Sequence, residues 1–95
     1  MVLPSMRLDD QVVLVTGAGS GIGRAIAVAV AEVGADVAVC EVPEKVGDLD
    51  GVCEAIEGLG RRALAVGLRL PDLEGIDQAV SQVVDHFGRI DVLVN

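Results

Sequence analysis

Four short aliphatic runs punctuate this sequence, and stretches with an apolar residue every three or four positions separate them. The first run, Val12-Val13-Leu14-Val15, is apolar at every position and closes on Thr16-Gly17. Such an unbroken run predicts a strand covered on both faces, because a strand with one wet side alternates. Asp36–Cys40, Ala63–Val66 and Ile90–Val94 predict three more strands. Between the first two, Ile22, Ala25, Ile26, Ala29, Val30 and Val33 fall on one helical stripe, and Gly34 is placed to terminate that helix. The rhythm from Glu44 to Leu59 is weaker. Val52, Ala55, Ile56 and Leu59 share a face there, with Pro43 breaking the pattern before it and Gly60 closing it. Gly47 and Gly51 predict a frayed first turn. A third helix starts after Pro71 with Asp72 as its N-cap, repeats Ile76, Val80, Val83, Val84 and Phe87, and ends at Gly88.

Strands alternating with helices across short links predict an α/β fold, a parallel sheet with helices on both faces and right-handed crossovers. The 95 residues suit one domain, spanning 1–95, with no internal boundary. A chain of this size buries roughly 60–65% of its unfolded surface, so the core is modest. Apolar residues make up 52% of the chain and Phe87 is the only aromatic, so that core is built from Val, Leu, Ile and Ala.

Charge excludes some partners. At a net charge of −8 the chain lacks the basic face that nucleic acid or an anionic membrane surface requires. No charge-free run reaches the roughly 18 residues a membrane span needs. The first ten residues hold no apolar segment of signal-peptide type, which predicts a cytoplasmic protein. Cys40 and Cys53 are expected as buried free thiols, since no Cys-x-x-Cys pair or Cys/His cluster accompanies them. No metal site is expected. His86, the only histidine, reads as a surface residue, and Asp9-Asp10 as a solvated pair ahead of the first strand.

The segment that carries chemistry is Thr16-Gly17-Ala18-Gly19-Ser20-Gly21-Ile22-Gly23, which follows a predicted strand and opens a predicted helix. That is the setting of a phosphate-binding loop. Gly17 lets the chain leave the strand in a tight turn. Gly21 lets the backbone approach a diphosphate, and Gly23 lets the helix pack closely on the sheet. The helix start contributes free N–H groups and about half a positive charge, a local field that survives the acidic surroundings. Glu41 ends the second strand, 24 residues after Gly17. An acidic residue there accepts hydrogen bonds from the adenosine ribose and repels a 2′-phosphate, which predicts NAD over NADP.

The spacing is Thr-Gly-x-x-x-Gly-x-Gly. It is not Gly-x-Gly-x-x-Gly, which would put a glycine where Ile22 stands. With Gly88-Arg89-Ile90-Asp91 leading into Val92-Leu93-Val94-Asn95, the chain from about Leu8 to Asn95 resembles the N-terminal part of the short-chain dehydrogenase/reductase family, about the first third of a typical member. Asn95 looks like the first residue of that family's Asn-Asn-Ala-Gly motif. The resemblance implies a partial Rossmann fold with strand order 3-2-1-4. It makes Gly17, Gly19, Ser20, Gly21, Ile22, Gly23, Glu41, Leu70 and Asn95 the candidate cofactor-binding residues.

Members that prefer NADP usually carry a basic residue just before the second motif glycine or after the second strand; here Ser20 and Glu41-Val42 stand in those places. Where relatives often carry Asp-Val after the third strand, this chain has Arg69-Leu70. The Leu70 backbone remains available to adenine. Arg69 cannot accept a hydrogen bond from the adenine amino group, and it has stacking or plain solvation left to it. The family's catalytic Ser, Tyr and Lys lie beyond the Asn-Asn-Ala-Gly motif. This chain holds no Tyr, and its one Lys is Lys45, so no catalytic residue is assigned.

The family likeness further implies hydride transfer between NAD and a small alcohol or ketone in a full-length homo-oligomer. A self-sufficient nucleotide-binding module and a remnant that does not fold stably are the competing expectations. In the implied strand order Val92-Leu93-Val94 is an open aliphatic edge, which predicts a marginally stable, association-prone chain.

Overall fold

A computed structural model describes residues 7–69 and 72–95. Strands β1 (Val12–Val15), β2 (Asp36–Glu41), β3 (Ala63–Gly67) and β4 (Val92–Val94) form one sheet in the order β3-β2-β1-β4. Every pairing is parallel: Val13 lies opposite Val37 on one side and Val92 on the other, and Val39 lies opposite Ala65. Helices α1 (Gly21–Glu32), α2 (Asp50–Gly58) and α3 (Leu73–Phe87) make the crossovers.

All four residues of β1 and five of the six in β2 are buried, as unbroken aliphatic runs require. Alternate residues feed two cores. Val13, Val15, Val37 and Val39 meet Ala27 and Ala31 of α1 and Val52 and Ile56 of α2 on one face. Val12, Leu14, Ala38, Cys40 and Val66 meet Ala79, Val83 and Phe87 of α3 on the other.

The helices depart from expectation in places. The stripe predicted for α1 is rotated by about one residue. Ile26 and Val30 do pack on the core, but Ile22 is 80% exposed, Ala25 and Ala29 are exposed, and the buried positions are Ala27 and Ala31. The cause is close approach: a Cβ built on Gly23 would collide with the Gly17 carbonyl, so the line toward the sheet is the small series Gly23-Ala27-Ala31. Pro43 ends the strand pattern as expected, β2 closing at Glu41, and the weakly helical stretch expected from Glu44 starts one residue earlier as a 3₁₀ helix, Pro43–Leu49, that runs into α2. A fixed φ and a missing N–H are harmless at a first helical position, and Leu49 anchors the segment by full burial.

Terminators fall where glycines predict them. Gly88 has φ +86° and donates its N–H to the Val84 carbonyl at 2.7 Å. Gly34 has φ +105° and bonds to Ala31. Asp72 does stand in the N-cap position of α3, in extended conformation, but its side chain makes no capping bond.

The rim at the strands' amino ends is closed by charge. Asp36 is buried, accepts the Arg62 amide at 3.0 Å and the Arg62 guanidinium at 2.9 Å, and meets Arg61 at 3.0 Å. Arg61 also reaches Asp10 at 3.1 Å, and Asp9 pairs with Arg7, so the two carboxylates ahead of β1 are exposed, as expected, and each also has a cationic partner. Asp91 accepts the Val12 amide at 2.7 Å and is gripped by Arg89, which ties the start of β4 to β1.

Candidate cofactor site

The carboxyl rim of the sheet is built differently, from glycine, one hydroxyl and one carboxylate. β1 ends at Val15, and Thr16 turns the chain upward with its amide on the Val94 carbonyl at 3.0 Å. Gly17 (φ +62°) and Gly21 (φ +59°) both occupy the left-handed region that favours glycine. Open space lies above each, with nothing within 4 Å of where a Cβ would project. Between them, Ala18 is fully buried and donates its N–H to the Cys40 carbonyl at 3.0 Å, which pins the loop to the end of β2.

Ser20 takes the N-cap position of α1 in extended conformation, yet its hydroxyl caps nothing, and the first turn holds no acidic residue. The leading amides of α1 are thus left for an outside acceptor, and the helix field there is not neutralised. Ile22 projects from this first turn into solvent.

Glu41 stands across the loop. Its Oε2 accepts the Gly19 amide at 3.1 Å, and its Oε1 accepts the Val42 amide at 3.1 Å. A carboxylate offers about four acceptor positions, so two remain for a ligand. Beside it lies a cavity of about 250 Å³ lined by Thr16, Gly17, Cys40, Glu41, Val42 and Leu68. The position of Leu68 follows from its amide, which continues the β2–β3 ladder onto the Glu41 carbonyl at 2.9 Å.

Asn95 closes the other flank. Its Oδ1 accepts the Thr16 hydroxyl at 2.9 Å, with the Val94 carbonyl 3.3 Å from the same hydroxyl. The structure therefore brings Gly17, Gly19, Ser20, Gly21, Glu41 and Asn95 to one rim around the start of α1. Gly23 sits beneath the loop, where it sets the spacing between helix and strand. Leu70 lies outside the described residues. Arg69 is paired with Glu44 of the 3₁₀ helix.

Thr16, Cys40, Val42 and Leu68 line the cavity without having been singled out as site residues. Their signal was positional: each lies at or just past the carboxyl end of a strand, where open α/β sheets bind ligands. Cys40 is no nucleophile there. Burial, reinforced by the Glu41 charge, pushes its thiol up to about 11. Burial also raises the Cys53 thiol, and both cysteines are free. His86 is exposed and stands edge-on to Phe87 at the far rim. Among the described residues no group of His, Cys, Asp and Glu could hold a metal ion, and no helix is long and apolar enough to cross a membrane.

A parallel 3-2-1-4 sheet with a glycine loop over its central strand defines a Rossmann-like nucleotide-binding fold. A profile of the short-chain dehydrogenase family matches residues 11–95, and the chain belongs to that family of oxidoreductases, which bind nicotinamide dinucleotides. It is similar to an uncharacterised oxidoreductase of Mycobacterium tuberculosis, with 43% identity over all of this chain and 35% of that protein. It is 37% identical to a (−)-trans-carveol dehydrogenase of Rhodococcus erythropolis, covering 92% of this chain and 35% of the relative. Among solved structures, a hydroxysteroid dehydrogenase from Escherichia coli superposes with a TM-score of 0.86 at 31% identity, over 94% of this chain and 37% of that one. The chain spans about a third of the length of these relatives.

Proposed function

We propose that residues 1–95 are the NAD-binding N-terminal part of a short-chain dehydrogenase that moves hydride between NAD and a small alcohol or ketone. The diphosphate of the dinucleotide rests on the uncapped amides of Gly21, Ile22 and Gly23, with Gly17 and Gly21 providing a turn that no side chain obstructs. The adenosine ribose lies against Glu41, with adenine in the cavity beside Val42 and Leu68. Asn95, held by Thr16, bounds the cleft on the β4 side. When bound, the dinucleotide supplies the hydride chemistry; these residues hold and orient it. With no tyrosine and only Lys45 in the sequence, these residues alone bind the cofactor and do not turn it over.

One observation supports the cofactor preference: the Glu41 carboxylate, which this reading puts against the ribose, is held by two backbone amides, and no basic residue stands at position 20 or 42. A 2′-phosphate placed there meets a held negative charge. Calorimetric titration of the chain with NAD and with NADP tests this. Tighter NAD binding is expected, with the order reversed by Glu41→Arg. Equal or tighter NADP binding by the unaltered chain rejects the assignment.

A further inference from the structure

We infer that Gly19 is a positioning residue for cofactor choice, because the place of its missing side chain is the berth of the Glu41 carboxylate. The inference rests on the proposed NAD preference and deepens it.

Gly19 differs from its neighbours in the loop. Gly17 and Gly21 have positive φ, but Gly19 is absent from that region, so its backbone tolerates any residue. What excludes a side chain at Gly19 is space. A Cβ there would lie 2.8 Å from Glu41 Oε2, 3.3 Å from Glu41 Cγ and 3.2 Å from the Asp48 Cβ. The Glu41 side chain folds back over the loop and fills this gap, with Asp48 of the 3₁₀ helix as the opposite wall. Only from there does Oε2 accept the Gly19 amide at 3.1 Å while Oε1 keeps the Val42 amide.

Chain length makes the coupling specific. Glutamate carries one methylene more than aspartate, and here that extra length is taken up by folding the carboxylate back over Gly19. The empty position at Gly19 absorbs it. Position 19 and position 41 therefore form a matched pair: a glycine with a glutamate.

The consequence for Gly19→Ala is definite. Glu41 Oε2 is the far end of a flexible side chain, so the new methyl displaces it at little cost to the fold. The displaced carboxylate loses its amide and no longer stands where a 2′-phosphate would meet it. Losing one charge-assisted hydrogen bond at the ribose changes affinity by about tenfold. NAD affinity is expected to fall by about that factor, NADP affinity to stay level or rise, and the NAD-to-NADP preference to shrink accordingly.

The test is a double-mutant cycle over Gly19→Ala and Glu41→Asp, read as the ratio of NAD to NADP dissociation constants and as the melting temperature. In the Glu41→Asp background the shorter side chain withdraws its carboxylate from the gap, and only the Asp48 Cβ at 3.2 Å has to give by a few tenths of an ångström, so Gly19→Ala is expected to leave the ratio unchanged there. An unaltered ratio in Gly19→Ala, or an equal effect in both backgrounds, overturns the inference while the NAD reading stands. If Gly19→Ala does not fold, the double variant is expected to fold and to keep its preference for NAD; its failure to do so also overturns the inference. An unaltered chain that binds neither dinucleotide, or prefers NADP, removes the NAD reading and the inference with it.

Discussion

Replacing Gly23 by alanine sets two effects of similar size against each other. Gly23 is the third residue of α1 and has no positive φ, so helix propensity favours alanine there by up to ~1 kcal/mol. Against this, the added Cβ would collide with the Gly17 carbonyl oxygen and lie 2.7 Å from its carbon, with the Thr16 carbonyl oxygen at 3.2 Å. All three are backbone atoms of the loop that leaves β1, so no side-chain rotation relieves them. Relief requires α1 to lift or the loop to bend, and overpacking of that kind costs about 1–3 kcal/mol. The steric effect wins, and a net loss of about 1–2 kcal/mol is expected. Gly58→Ala is the matched comparison, because Gly58 lies in α2 with nothing within 4 Å of its would-be Cβ. That variant is expected to gain a few tenths of a kcal/mol. Urea titrations followed by helical circular dichroism give both values on one scale. The reasoning is refuted if Gly23→Ala is as stable as Gly58→Ala.

Three further outcomes follow from groups away from the loop. Burial alone would raise the Asp36 carboxyl, but the backbone and side-chain hydrogen bonds from Arg62 together with the charges of Arg61 and Arg62 outweigh it and hold the group below its ordinary value of 3.8. Its folded pKa is depressed, so its contribution is complete above about pH 4 and is lost as the pH falls through the folded value. Asp36→Asn should lower stability at pH 7 by about 1–3 kcal/mol and flatten the acid limb; an unchanged limb in pH-dependent melts counts against the network. Cys40, raised to about 11, should resist iodoacetamide at pH 8 in the folded chain and react on adding urea, and mass spectrometry that finds Cys40 modified ahead of Cys53 contradicts its burial. Leu93 is 62% exposed on β4, which among the described residues pairs only with β1, so Leu93→Lys should reduce self-association of the chain in sedimentation velocity runs, and an unchanged distribution argues against pairing through that strand.

Strand positions were legible because continuous aliphatic runs such as Val12–Val15 suit strands buried on both faces, whereas the order β3-β2-β1-β4 was implied by the family resemblance and not by the runs themselves. The glycine loop was legible because each of its glycines answers a different constraint. The face of α1 was not. Its sequence is apolar at Ile22, Ala25, Ile26, Ala27, Val28, Ala29, Val30 and Ala31, so periodicity hardly distinguishes one side from another. Size decides instead, and the line Gly23-Ala27-Ala31 was there to be read. Helical character after Pro43 was legible; its 3₁₀ form over Pro43–Leu49 was not, because the weak apolar spacing there does not separate a 3₁₀ turn from a frayed α turn. The place of Glu41 at the end of β2 beside the loop was legible, but its grip on the Gly19 amide depends on how a flexible side chain folds back, which spacing does not encode.

The two rims of the sheet bear unlike duties. Arg61, Arg62, Asp36 and Asp10 clamp the amino ends of the strands, while the carboxyl ends carry the glycine loop and Glu41. About five residues of β2 separate Asp36 from Glu41, roughly 17 Å along an extended strand. Substitutions that retune nucleotide choice therefore leave the clamp untouched, and a lineage is free to explore new cofactor preferences without first having to rescue its scaffold.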